Sequence, residues 1–289
     1  MSRIATVKRY RAIYINYVSC MVNVFLSKYP FIGKLRNGQE IVVHNATQAF
    51  FVSRGKNSIT YDPSERLTHL NFDEKDIKFF GAEANGDLFG IYEELLYRYL
   101  NVENKVVIDI GANIGDSPIY FALRRAKLII AIEPQKYAFE VAVKNIALNG
   151  MKNVIILVNA ALSSKEGNIN GKIGKGIGAQ FYPSENGQTF QTVSINQLVK
   201  NYNVNDGILK VDCEGCEYKS ILFLSNETLR SFREIMLEYH NFSGEIVKKL
   251  ESAGFKIYFL VDGSLVREFV PKIKYGLIYA VQDKDKNAT

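Results

Sequence analysis

The sequence predicts an α/β protein: a mostly parallel, Rossmann-like sheet with helices, plus an N-terminal helical and β-hairpin extension. Three observations carry this. From Lys105 onward strand and helix patterns alternate, as in stacked βαβ units. A turn holding Gly111 and Gly115 follows the first of these strands and opens a helix. Near the start, Asn37-Gly38 separates two short apolar runs, as in a tight hairpin.

The 289 residues are 47% hydrophobic and 23% charged, a globular composition. A net charge of +6 from 36 basic and 30 acidic residues is mild and does not by itself argue nucleic-acid binding. Three cysteines cannot build a disulfide framework, so a reducing, cytoplasmic setting is expected. No run of 18 apolar residues exists for a transmembrane helix. Residues 1–39 carry seven basic residues (Arg3, Lys8, Arg9, Arg11, Lys28, Lys34, Arg36) and no acid. Among them runs an apolar segment from Ala12 to Leu26, broken by Asn16, Ser19 and Asn23. Two readings stand: a helix packed on the protein's own body, or a basic amphipathic helix resting on an anionic membrane surface.

Residues 31–43 read as two strands, and IYEELLYRYL (91–100) as a leading helix. Val106–Ile110 is a buried strand, then Asp116–Arg125 a helix with Pro118 in its first turn. Lys127–Ile132 is a strand, Pro134–Asn149 a helix stopped by Gly150, and Val154–Asn159 a third strand. Residues 164–190 read as hairpins or loops above the sheet. Gly207–Val211 and Glu234–Glu238 are the fourth and fifth strands; a helix at Gly244–Ala253 and strands at Phe255–Val261 and Tyr275–Val281 follow. The chain divides into an extension over 1–100, a cofactor-binding domain over 101–283 and a polar tail over 284–289.

The first turn is hostile to phosphate. A dinucleotide fingerprint needs G-x-G-x-x-G, but counting from Gly111 its second and third glycines fall on Asn113 and Asp116. Asp116 also places a negative charge where a pyrophosphate would sit. A cationic nucleoside without phosphate suits the turn, and S-adenosylmethionine is one. Asp109 would orient the loop and favour the positive methionine end. Glu133 follows the second strand, 24 residues after Asp109, at the place of a ribose-binding acid. Its two oxygens match the two ribose hydroxyls. Asn159 and Ala160, at the end of the third strand, would flank the adenine.

The fourth strand ends in three acids, Asp212, Glu214 and Glu217. If the chain stays extended, Asp212 and Glu214 share a side. The fifth strand delivers Glu238 and His240 at its own end, about 5 Å away. Two chemistries fit Asp212, Glu214, Glu238 and His240. The carboxylates can hold Mg²⁺ or another divalent cation. Alternatively one group is a general base for an acceptor hydroxyl, and His240 is the natural choice because its ordinary pKa lies near neutrality. Cys213 and Cys216 lack further ligands for a zinc site and read best as small buried residues, with a redox pair as the alternative.

The pieces VVIDIGANIGDS (106–117), AIEP (131–134), N-x-x-L-N-G (145–150), NAALS (159–163), LKVDCEGCE (209–217) and IMLEYH (235–240) resemble the FkbM family of S-adenosylmethionine-dependent methyltransferases. They span about half the chain. The family's D-V-E-G-x-E motif has Cys213 in place of its Val here. The resemblance implies a class I methyltransferase sheet whose last strand, Tyr275–Val281, is antiparallel. It also implies O-methylation of sugars or secondary-metabolite-like molecules. It carries Asp109, Gly111, Gly115 and Glu133 as cofactor contacts, with Asn113 between them. Asp212, Glu214, Glu238 and His240 form the substrate or metal end. The expected partner is a small-molecule or glycan hydroxyl acceptor. Nucleic acid is disfavoured, because Asp212-Cys213-Glu214-Gly215 has no proline-aromatic clamp. An NAD(P)-dependent oxidoreductase and a non-catalytic nucleoside-binding protein are the competing readings.

Overall fold

The computed structural model describes residues 3–55, 59–83, 87–174, 181–240, 242–267 and 275–282. The expected polar tail, part of the 164–190 segment and Gly86 lie outside these residues. The chain forms two compact units, Met1–Glu93 and Glu94–Thr289.

The first unit opens with α1 (Arg3–Ile13) and α2 (Tyr17–Phe25), followed by the hairpin β1 (Phe31–Lys34) and β2 (Glu40–Val43). The expected single helix is thus two. The break has a cause: Tyr14 leaves the helix to bridge Leu35, and the Ile15 N–H donates to the Lys34 carbonyl at 2.7 Å. Asn16 fixes the junction, accepting from Lys34 N and donating to the Ile32 carbonyl. Next comes α3 (Ala46–Val52), whose Asn45 cap accepts from Gln48 N. An antiparallel sheet of β3 (Ile59–Asp62), β4 (Leu67–Phe72) and β5 (Lys75–Phe80) and the short helix α4 (Asp87–Tyr92) complete the unit. The leading helix ends at Tyr92, earlier than expected, because Leu95 turns into the left-handed region at φ 53°.

The second unit holds an eight-stranded sheet. Its elements in chain order are β6 (Val106–Ile110), α5 (Asp116–Leu123), β7 (Leu128–Ile132), α6 (Lys136–Leu148), β8 (Ile155–Val158) and β9 (Ala161–Leu162). Then come β10 (Gly167–Ile173), β11 (Phe181–Pro183), β12 (Gln188–Val193), α7 (Ile195–Asn201), β13 (Gly207–Val211), α8 (Glu217–Leu222) and α9 (Asn226–Arg230). The chain closes with β14 (Phe232–His240), α10 (Gly244–Ser252), β15 (Phe255–Val261), β16 (Ser264–Val266) and β17 (Tyr275–Gln282). The strand order is β16-β15-β17-β14-β13-β6-β7-β8. Strands β8, β7, β6, β13 and β14 run parallel, and β17 is antiparallel to both its neighbours, as the resemblance implied. A short eighth strand, β16, adds to the edge beside β15. The segment above the sheet is a small four-stranded sheet of β9–β12.

Parallel strands covered on both faces must be apolar throughout, and VVIDI, LIIAI and GILKV bury nearly every residue. Ile108, Ile130, Leu209, Ile235 and Ile278 form the centre of this core. The order reverses between β6 and β13, because the chain adds β7 and β8 on one side before returning on the other. At such a reversal the loops leaving the two strands diverge and open a crevice at their C-terminal ends.

Candidate active site

The loop after β6 is held on three sides. Gly111 N and Ala112 N both donate to the Ile132 carbonyl, and Asn145 of α6 donates from Nδ2 to the Ile114 carbonyl at 2.8 Å. Gly111 has φ 81°, and a Cβ there would lie 1.7 Å from the Asp212 carbonyl oxygen. Only glycine lets the β6 and β13 loops meet this closely. Gly115 caps α5 at φ 88°, the left-handed region that favours glycine, and lies against Ala142 of α6.

Asp109 is fully buried. Its Oδ2 accepts from Ser117 Oγ at 2.7 Å, and its Oδ1 lies 3.1 Å from Lys210 Nζ. Lys210 Nζ also donates to the Gly111 carbonyl at 2.7 Å, stands 3.9 Å from Asp212 Oδ2 and faces the ring of Tyr97 at 5.9 Å. Burial works against the Lys210 charge, but Asp109, with Asp212, overcomes it and holds the ammonium well above its ordinary pKa. Through Lys210, Asp109 tethers the loop at the Gly111 carbonyl, and its charge is matched by the ammonium.

Glu133 joins two loops. Its Oε2 accepts from Asn113 N at 2.9 Å and its Oε1 from Gln135 N at 2.8 Å. Burial raises its pKa to about 7 against these two N–H groups. Each oxygen keeps a lone pair beyond its protein partner. Asn159 donates from Nδ2 to the carbonyls of Glu133 and Pro134, so its amide nitrogen braces this loop. The Ala160 side chain is buried and its N–H donates to the Val158 carbonyl.

The loop after β13 departs from the extended chain expected there. Glu214 takes φ 54° and Gly215 φ 117°, so Asp212 and Glu214 do not follow strand alternation. The turn closes on Glu217. This buried carboxylate accepts from Cys213 N and Gly215 N and pairs with His240 Nδ1 at 3.1 Å. Burial pushes Glu217 up, but the His240 N–H and the backbone N–H groups win, and its carboxyl sits below the usual range. The same turn brings the Cys213 and Cys216 Cα atoms to 5.5 Å, and the two form a disulfide rather than the separate buried thiols expected.

His240 Nε2 lies 3.3 Å from Glu214 Oε2 and 3.9 Å from Glu238 Oε1. The hydrogen bond to Glu217 and the neighbouring carboxylates raise its pKa to about 9. The raised value favours the imidazolium at neutral pH, the form that donates rather than accepts a proton. Glu238 moves the other way from a typical carboxylate: burial and the nearby Asp212 charge raise it to about 8. The divalent cation expected at Asp212, Glu214 and Glu238 does not fit the residues as placed. Among the described residues no group of three His, Cys, Asp or Glu side chains is placed to hold a cation. The turn directs Glu214 to His240, and Lys210 and His240 already supply positive charge beside the acids.

Asp212, Glu214, Glu238 and His240 thus do converge at adjoining strand ends, and Glu133 and the Gly111 loop lie at the ends of the next two strands. Lys210 and Tyr97 complete the site without having been singled out in the sequence, where Glu217 and Asn145 stood only as members of the acid cluster and of the N-x-x-L-N-G run. A lysine inside an otherwise apolar strand was the available signal for Lys210.

The Methyltransferase FkbM domain family matches residues 109–257, just over half the chain. The chain belongs to the FkbM methyltransferase family. It is an S-adenosylmethionine-dependent methyltransferase with a Rossmann-like fold. Among solved structures, an FkbM methyltransferase from Methylobacillus flagellatus KT is 12% identical, with a TM-score of 0.42. The alignment covers 64% of this chain and 45% of that one. A ribosomal protein L11 methylase from Lactobacillus delbrueckii subsp. bulgaricus is 15% identical, with 73% and 86% covered and a TM-score of 0.42. TrmK of M. capricolum, solved with S-adenosyl-homocysteine, is 14% identical, with 65% and 66% covered and a TM-score of 0.39. No curated protein matches the chain.

The residues of this FkbM chain fit the cofactor. Glu133 offers two oxygens with lone pairs to spare in a buried setting, the chemistry a ribose diol needs. The neighbouring strand ends carry the carboxylates Asp109, Asp212, Glu214 and Glu217 against the cations Lys210 and His240. That excess of negative charge suits a sulfonium.

Proposed function

We propose that this FkbM enzyme is an O-methyltransferase acting on a hydroxyl of a sugar, glycan or secondary-metabolite-like acceptor. The observation that carries this reading is Glu238. Its carboxyl, raised to about 8, lies beside Asp212 and within 3.9 Å of an imidazolium, at the C-terminal edge of the sheet. A neutral hydroxyl becomes a good nucleophile only as its proton leaves, and a carboxylate with an elevated pKa is a correspondingly stronger base.

In this reading Glu133 holds the ribose, with Asn113 and Gln135 fixing its carboxylate. Lys210 and Asp109 lock the loop that carries Gly111. Bound S-adenosylmethionine supplies a methyl group on a sulfonium, which leaves as a neutral thioether. Glu238 takes the acceptor's proton, and His240 holds its positive charge between Glu217 and Glu214, favouring the ionised form of Glu238. Alignment of donor and acceptor supplies the rest of the rate enhancement. No step is assigned to a metal.

The test is transfer of label from S-adenosylmethionine to a panel of glycan hydroxyls, with and without chelator. Label is expected in an alkali-stable ether, at a rate unchanged by chelator. Label found on nitrogen or carbon, or on RNA alone, would overturn the reading.

A further inference from the structure

The first unit carries a short helix that is apolar on two opposite faces. Tyr17, Cys20, Met21 and Val24 of α2 pack against Tyr10, Tyr14, Phe31 and Val43. Val18, Val22, Phe25 and the following Leu26 recur at helical spacing on the other side and are exposed, Phe25 at 87% and Val18 at 59%. The hairpin carries a separate apolar pair, on the face turned away from Phe31 and Val43. Ile32 and Val42 are direct cross-strand partners, so they share one face, and both are exposed. Ile15, hydrogen-bonded to Lys34, is exposed as well. Single exposed apolar residues are ordinary, but Val18, Val22, Phe25 and Leu26 line one side of a single short helix.

Charge identifies the occupant. Lys8, Arg11, Lys28 and Arg36 are exposed on this unit. The first acid in the sequence is Glu40, which pairs with Lys34 at 3.1 Å. A second copy of the chain would bring two basic segments together. A nucleic acid would meet the charge but leave Phe25 and Val18 in water. A bilayer with anionic headgroups satisfies both, because its surface takes the basic side chains and its acyl boundary the apolar ones.

We propose that the exposed face of α2 is a docking surface for an anionic lipid bilayer. Phe25, Val22 and Val18 enter the acyl boundary, and Lys28 with its basic neighbours meets the headgroups. This inference does not rest on the acceptor proposed above.

The experiment is co-sedimentation of the full chain with phosphatidylcholine vesicles, with and without phosphatidylserine. Binding is expected only with phosphatidylserine, and is expected to weaken by about tenfold or more in high salt. Val22→Ser/Phe25→Ser, and independently Lys8→Glu/Lys28→Glu, should each lower it by a similar factor. Both variants should keep the wild-type circular dichroism spectrum and rate of transfer to a soluble acceptor. Equal binding to both vesicle types, no binding to either, or wild-type binding by both variants would overturn the proposal. So would light scattering that shows a dimer broken by Val22→Ser/Phe25→Ser. Loss of vesicle binding with methyl transfer intact would leave the active-site reading untouched.

Discussion

Lys210 stands directly opposite Asp109 on the neighbouring parallel strand, with Nζ 3.1 Å from Oδ1 and both side chains buried. The pair lies where the strand order reverses, and the same ammonium holds the Gly111 carbonyl. The ion pair therefore adds a buried tether to the loop that Ile132 and Asn145 also hold.

Removing one partner leaves the other charged and buried. Lys210→Met is expected to cost about 3–5 kcal/mol of folding stability. Lys210→Met/Asp109→Asn should recover most of that loss, because no uncompensated charge remains. Chemical denaturation of the two singles and the double measures the coupling. A fully stable Lys210→Met protein would show that the pair does not hold the loop.

His240 is raised to about 9 by its bond to Glu217. A raised folded-state pKa stabilises the fold fully below the unfolded value, about 6.5, and that contribution is lost as pH rises through about 9. Glu217→Gln removes the main cause. The His240 ring resonances, followed by NMR, should then titrate well below 9. An unchanged midpoint would mean that Glu214 and Glu238 alone hold the proton.

The parallel strands and the loop after β6 were legible because buried strands must be apolar and a phosphate-binding turn must be glycine-rich. VVIDIGANIG states the first condition and fails the second. Lys210 was passed over because one polar residue in GILKV looks like noise until its strand is known to lie beside Asp109. Glu217 was counted only as the third acid of a cluster, whereas a left-handed turn at Glu214 folds it inward. Tyr97 approaches Lys210 only through tertiary packing. The β3–β5 sheet escaped for a different reason: its strands are short and partly polar, as Lys75–Phe80 shows. The raised pKa of His240 was not legible because its carboxylate neighbours meet only in the folded chain.

Catalysis should follow the ionisation of Glu238 and His240. If the Glu238 carboxylate is the base and the His240 imidazolium supports it, kcat rises with pH through about 8 and falls beyond about 9. Glu238→Gln is expected to lower kcat by about 10²–10⁴-fold and to remove the rising limb. A pH profile that keeps the limb in this variant points to another base.

The Cys213–Cys216 disulfide closes a very short loop, so its stabilisation is small, about 2 kcal/mol or less. The turn itself is held by Glu217 through the backbone N–H groups of Cys213 and Gly215. Cys213→Ser/Cys216→Ser should therefore keep methyl transfer within about threefold of wild type, because those contacts do not need the sulfurs. A much larger loss in a labelled-transfer assay would assign the bridge a role in the chemistry.

The central claim is that Glu133, beside a turn hostile to phosphate, grips the ribose of a sulfonium nucleoside. Calorimetric titration with S-adenosylmethionine and with NAD, at several pH values, tests it most directly. The wild type should bind S-adenosylmethionine, more tightly as pH rises through about 7 and Glu133 ionises, and should not bind NAD. Glu133→Ala should lose about tenfold or more in affinity and the pH dependence with it. Tight binding of NAD without binding of S-adenosylmethionine, or undiminished affinity in Glu133→Ala, would contradict the account.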